Sequence, residues 1–121
     1  MPAYQASQYR STTGGKDVND VHYVDNFCKA VTLALKNPRA VGETFNVGSG
    51  REISVLALAR EIRQMTRSRS KLQIMPPRTP LESRPMMTRP SIAKIQRVLG
   101  YRPVVGLKEG LKKTIEWYRV N

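Results

Sequence analysis

Most of the usual ways in which a short chain carries chemistry are missing from these 121 residues. Cys28 is the only cysteine and His22 the only histidine. That excludes a disulfide framework and any metal cluster built on cysteine or histidine. No apolar run approaches the ~20 residues that cross a bilayer. The opening stretch, MPAYQASQYRSTTGG, is polar and has no apolar core of a secretory leader. The expectation is a cytoplasmic protein. Two phosphate-binding signatures are also absent: the three-glycine dinucleotide fingerprint and the loop that ends in Gly-Lys-Ser/Thr.

Acidic residues are scarce too, at 9 against 21 Lys and Arg, for a net charge of +12. The imbalance sits in one half. Residues 1–60 carry seven cations against five acids, while residues 61–121 carry 14 against 4. Such asymmetry points either to an anionic partner for the second half or to a solvated basic surface.

What is present reads as a small alternating domain with one core. Residues 1–14 have no apolar period and are expected to form a flexible arm, with a single domain over 15–121. Val21 and Tyr23 suggest a short strand that ends at Asp25, which is placed to cap a helix. Val24, Phe27, Cys28, Val31 and Leu35 then recur at helical spacing, which puts Cys28 on the buried face as an inert thiol. Lys36 and Pro38 end that helix.

Thr44 to Val47 read as a second strand, and Gly48-Ser49-Gly50 as the turn after it. Ser54 can cap a second helix whose apolar face is Val55, Leu58, Ala59, Ile62 and Met65. Leu72–Met75 read as a third strand, succeeded by a loop with five prolines between residues 76 and 90. Ser91 is expected to cap a short helix bearing Ile92, Ile95, Val98 and Leu99, and Gly100 to stop it. A last helix, entered at Gly106, is expected to bury Leu107, Leu111, Ile115 and Tyr118. Trp117 and Tyr118 either close a small core or offer a stacking surface for a base. His22 reads as an ordinary surface residue.

The stretch GETFNVGSG, residues 42–50, places a glycine turn between a strand pattern and a helix, as phosphate loops do. With only Gly48 and Gly50 it matches neither phosphate signature. Its simplest reading is a tight connection.

The order of VHYVDNFCKAVTLALKNP, GETFNVGSGREISVLALAREI, LQIMPP and SIAKIQRVLGYRPVVGLKEGLKKTIEWYR resembles the C-terminal, substrate-binding portion of the extended short-chain dehydrogenase/reductases. Among these NAD-dependent nucleotide-sugar epimerases, dehydratases and decarboxylases, the UDP-glucuronate decarboxylase and dTDP-glucose 4,6-dehydratase branch is most alike. The resemblance covers roughly residues 15–119 and implies an α/β fold of a few short strands and about four helices. It also implies a UDP- or dTDP-linked sugar as ligand, and contacts near it from Asn46 in the glycine turn.

The family grips the diphosphate with arginines. Asn19 stands where one of them is expected, and Arg89, or else Arg84, falls near the other. The family binds NAD on a Rossmann half and uses a Tyr-x-x-x-Lys pair, and neither motif is here. Four residues after Tyr4, Tyr9, Tyr23 and Tyr101 stand Gln8, Thr13, Phe27 and Val105. The resemblance thus implies a truncated enzyme: a substrate-binding lobe that binds no cofactor of its own, is inactive alone, and either dimerises or joins a Rossmann partner. The alternative is a non-catalytic basic module that binds nucleic acid or an acidic protein.

Overall fold

The computed structural model describes residues 9–11 and 13–121. Within the expected arm, residues 1–8 and 12 lie outside the described residues, and Tyr9–Ser11 form strand β1. Next in the chain are β2 (Val18–Asn19), helix α1 (Val24–Lys36), β3 (Ile53–Ser54) and α2 (Val55–Thr66). After these come β4 (Leu72–Ile74), β5 (Met87–Thr88), α3 (Ala93–Leu99) and α4 (Leu107–Val120). This is the small α/β arrangement that the sequence implies.

The chain forms two compact units. The first takes the described residues through Asn19 together with Ile53–Met87. In it β1 runs parallel to β4, with Tyr9 opposite Leu72 and Ser11 opposite Ile74. β2 runs antiparallel to β3, with Val18 opposite Ser54. Asp17 ties this unit together: its carboxylate accepts from the Thr13 hydroxyl and, at 2.8 Å, from the Met86 N–H. Those bonds hold the Asp17 carboxyl below its ordinary value, Thr13 contributing most. α2 starts as the sequence predicts, with the Ser54 hydroxyl accepting the Ala57 N–H at 3.1 Å.

The second unit takes Asp20–Glu52 and Thr88–Asn121. Its core is Ala30, Ile92, Ile95, Leu99 and the fully buried Tyr101, with Leu33, Ala34, Phe45, Val47 and Val98 packed around them. Gly100 ends α3 in the left-handed conformation, as expected.

The structure corrects several expectations. Val21 and Tyr23 are not in a strand; the pairing lies earlier, at Val18–Asn19. Thr44–Val47 form no ladder either. Alternate residues Phe45 and Val47 face the core, so the apolar alternation has a packing cause without a strand partner. Asp25 does not cap α1: Tyr23 holds that position, and Asp25 lies in the first turn. Ile92, not Ser91, precedes α3 as its cap.

α1 turns its predicted apolar face outward, with Val24, Phe27, Val31 and Leu35 exposed, and Cys28 exposed with them. It buries Asn26 and Ala30 instead. Asn26 is fully buried and its side chain makes three hydrogen bonds there. Its Nδ2 donates to the Val105 carbonyl at 2.8 Å, and its Oδ1 accepts from the N–H groups of Val104 and Val105 at 2.9 and 3.0 Å. A side-chain amide that meets three backbone groups can be buried where a hydrocarbon could not satisfy them. In α4, Leu107, Leu111 and Ile115 are half-buried, whereas Trp117 and Tyr118 are exposed and meet edge to face at 5.0 Å. They do not close the core.

Candidate functional site

The glycine turn lies in the second unit and already holds an anion. Asp20 Oδ1 accepts from the Ser49 N–H at 2.8 Å and from the Ser49 hydroxyl at 2.6 Å, and its Oδ2 accepts from the Gly50 N–H at 2.9 Å. Successive N–H groups aimed at one carboxylate form a small anion nest. Both glycines are required by it. Gly50 has φ +71°, which L side chains rarely adopt, and a Cβ on Gly48 would stand 2.6 Å from Asp20 Oδ2. Tyr101 closes the far side, its hydroxyl donating to the Gly48 carbonyl at 2.9 Å. Burial, with the Asp20 carboxylate adding to it, raises the Tyr101 phenol above its ordinary value.

The amides that a pyrophosphate would need, those of Ser49 and Gly50, are bonded to Asp20. The turn is a connection locked by an internal carboxylate.

Arg89 stands just after β5 with its side chain 72% exposed. Its guanidinium is engaged in a two-pronged pair: Nε donates to Glu52 Oε2 at 2.7 Å and Nη2 to Glu52 Oε1 at 2.6 Å. That is the fork-on-fork geometry with which arginine takes a carboxylate or a phosphate. The hydrogen bond from Arg89 holds the Glu52 carboxyl below its usual range.

Of the other candidates, Asn46 is exposed in the second unit, immediately before the core residue Val47. Asn19 and Arg84 belong to the first unit. Asn19 lies half-buried in β2 opposite Ile53, and Arg84 is exposed, its N–H donating to the Leu81 carbonyl. No hydrogen bond or ion pair among the described residues joins these three to one another or to Arg89. Sequence reasoning missed Glu52 and Asp20. Glu52 stands two residues after the turn, and Asp20 directly after Asn19 in the NDV stretch. The available signal was that each is an acid in a basic chain.

Among the described residues no group of histidine, cysteine or acidic side chains is placed to hold a metal, and no helix is long and apolar enough to cross a membrane.

Against this geometry, the likeness to known proteins is specific. A dTDP-D-glucose 4,6-dehydratase of Bos taurus is 36% identical over 112 residues, covering 88% of this chain and 31% of its own length. A UDP-glucuronic acid decarboxylase 1 of Xenopus tropicalis is 30% identical over 119 residues, covering 98% of this chain and 27% of its own length. An epimerase of Methanothermobacter thermautotrophicus superposes with a TM-score of 0.85 at 29% identity, over 94% of this chain and 34% of that one. No family model matches. The chain spans about a third of the length of the relatives it matches.

Over this portion, fold and sequence are similar to those of nucleotide-sugar dehydratases, decarboxylases and epimerases. Among these, the chain is a homologue, over a portion of their length, of dTDP-glucose 4,6-dehydratase and UDP-glucuronic acid decarboxylase.

Proposed function

We propose that these residues are the substrate-binding part of a nucleotide-sugar enzyme, taking the diphosphate of a UDP- or dTDP-linked sugar. Arg89 is the anchor, with Asn46 beside the glycine turn as a secondary contact. The observation that carries this reading is the Arg89–Glu52 fork. It presents an exposed, oriented guanidinium whose carboxylate partner mimics one face of a phosphate. Asn19 and Arg84 lack such orientation and take no part in the anchor.

Neither a Tyr-x-x-x-Lys pair nor a dinucleotide fingerprint occurs in the 121 residues. Proton transfer and NAD binding therefore fall to a Rossmann portion outside them. These residues bind and orient; they do not transform. The exposed stripe Val24, Phe27, Val31 and Leu35 on α1 is the surface for a second copy of the chain.

Isothermal titration with UDP-glucuronate, dTDP-glucose and inorganic phosphate tests the reading. Saturable binding of a nucleotide sugar, tighter than phosphate and weakened by Arg89→Ala, is expected. Equal affinities of wild type and Arg89→Ala would remove Arg89 from the site. Binding that tracks polyanion length, with a steep salt dependence, would favour the basic interaction module instead.

A further inference from the structure

A second place in the chain gathers positive charge around a cavity. In the first unit, Leu56, Arg60 and Arg63 of α2 and Lys71, Leu72 and Ile74 at β4 line an open cavity of about 640 Å³. The helix supplies its share through spacing. Residues 56, 60 and 63 are four and three apart, so they fall in one stripe. Leu72 and Ile74 are two apart on a strand and share a face. The lining thus combines three apolar side chains, Leu56, Leu72 and Ile74, with a rim of three cations, Arg60, Arg63 and Lys71.

The connection between helix and strand is built to bring that rim together. Arg67 closes α2 in the left-handed conformation at φ 52°, unusual for a residue other than glycine or asparagine. The Ser68 N–H returns to the Arg63 carbonyl at 3.0 Å, and the Ser68 and Ser70 hydroxyls bond at 2.8 Å. The turn is thereby tied into itself immediately before Lys71.

None of the three rim cations makes an ion pair among the described residues, and no acidic side chain among them lines the cavity. Elsewhere this chain pairs its cations where an acid is at hand: Arg78 with Glu82, Arg89 with Glu52, and Lys94 with Glu43. Three like charges around one hollow repel each other, and an anion in the hollow reverses the sign of that energy. The hollow is also too large for an inorganic anion alone. Its volume lies in the range of pockets that enclose whole small molecules.

We infer that the α2–β4 cavity binds a phosphorylated small molecule with a flat apolar body. The phosphate lies on Arg60, Arg63 and Lys71, and the body lies on Leu56, Leu72 and Ile74. This site is independent of Arg89 and Asn46, which belong to the other unit, and it stands whether or not a nucleotide sugar binds there.

The test uses 4-methylumbelliferyl phosphate as probe, with 4-methylumbelliferone, inorganic phosphate and a single-stranded oligonucleotide as comparators. Saturable binding of the aryl phosphate is expected, about tenfold or more tighter than of either half alone. Loss of a charged hydrogen bond corresponds to about tenfold in affinity. Arg60→Gln/Arg63→Gln is therefore expected to weaken the probe by about that factor or more. Leu72→Ala is expected to weaken the aryl phosphate while leaving inorganic phosphate unchanged. Lys108→Gln/Lys112→Gln, which removes equal charge from exposed positions of α4, is expected to change little.

Circular dichroism on each variant confirms an intact fold, and Lys71→Gln supplies a single, mild replacement should the double variant melt early. Equal losses in the α2 and α4 variants would overturn the site, because they would reduce it to net charge. Preferential, salt-steep binding of the oligonucleotide without saturation by the aryl phosphate would also overturn it, in favour of a nucleic-acid surface.

Discussion

Asp20 and Ser49 are joined twice, through the Ser49 N–H at 2.8 Å and its hydroxyl at 2.6 Å, and this pair fixes the glycine turn. Asp20→Asn keeps the shape but replaces one acceptor oxygen by an N–H₂ donor that faces donors. A cost of about 2 kcal/mol is expected, as for other hydrogen bonds to charged groups. Thermal melts monitored by circular dichroism check it. An unchanged midpoint would show that the turn holds itself.

Tyr101 gives a prediction with a pH signature. Its phenol is raised above the ordinary value near 10, chiefly by burial. The neutral form is thus favoured in the folded state. The associated stability is fully present below the ordinary value and is lost as pH rises through the folded one. Tyr101→Phe is expected to cost about 1 kcal/mol at neutral pH through the lost bond to Gly48, and to flatten the alkaline decline. Denaturant midpoints measured from pH 8 to 11 read both effects. Parallel alkaline slopes in the two proteins would contradict the assignment.

Asn26 predicts a larger loss. Asn26→Leu fills the volume but leaves the N–H groups of Val104 and Val105 and the Val105 carbonyl without their partner. About 3 kcal/mol is expected, from unsatisfied buried backbone groups at about 1–3 kcal/mol each with partial relief by water. Urea unfolding measures it. Asn26→Asp, which retains the two acceptor bonds, is expected to fall between wild type and Asn26→Leu.

Glu52 competes for the guanidinium that the proposed diphosphate needs. Glu52→Gln is expected to raise affinity for a UDP- or dTDP-sugar, and Arg89→Ala to abolish it. The Glu52 carboxyl is held down by the Arg89 hydrogen bond, so the pair is intact above the ordinary carboxylate range and opens as pH falls through the lowered value. UDP-sugar affinity measured as pH falls from 7 through the lowered Glu52 value should therefore rise in wild type only below the ordinary carboxylate range, and stay level in Glu52→Gln. A fall in both would mean that the two residues share the ligand instead of competing for it.

Self-association is expected through α1. Val24, Phe27, Val31 and Leu35 are 58%, 50%, 41% and 83% exposed, an apolar stripe along one helix. Leu56 and Met65 of α2 are half-buried and add nothing to it. The net charge of +12 opposes pairing, most at low salt. Sedimentation velocity in moderate salt is expected to show a dimer that Phe27→Glu converts to monomer. A wild-type monomer at tens of micromolar, by order of magnitude typical of weak pairs, would sink this expectation.

The parts legible in the sequence were those whose causes are local. Ser54 announces α2 by its own hydroxyl, Gly100 ends α3 by its own backbone, and Ile95 and Leu99 share a stripe by spacing alone. The parts misread depend on distant partners. Asn26 is buried only because Val104 and Val105 arrive from far along the chain. Thr44–Val47 alternate like a strand, yet Phe45 and Val47 answer to a core supplied by α1 and α3. At the candidate site, Arg89 could be named only through the family resemblance, and Glu52 could not be named, because an ion pair between residues 37 apart leaves no periodic trace.

The division of the chain has a consequence for the order of assembly during synthesis. Neither unit is contiguous: Asp20–Glu52 is threaded between the two segments of the first, and Ile53–Met87 between the two of the second. β1 must wait for β4 to emerge before Tyr9 can meet Leu72, and closing so long a loop precedes any reward from the ladder. The first unit has all its segments once Met87 is out, whereas the core around Tyr101 needs α3 and Tyr101 itself. A nascent chain halted between these points would hold both of these segments of the first unit while α1 still lacked Val104 and Val105, the residues that satisfy Asn26.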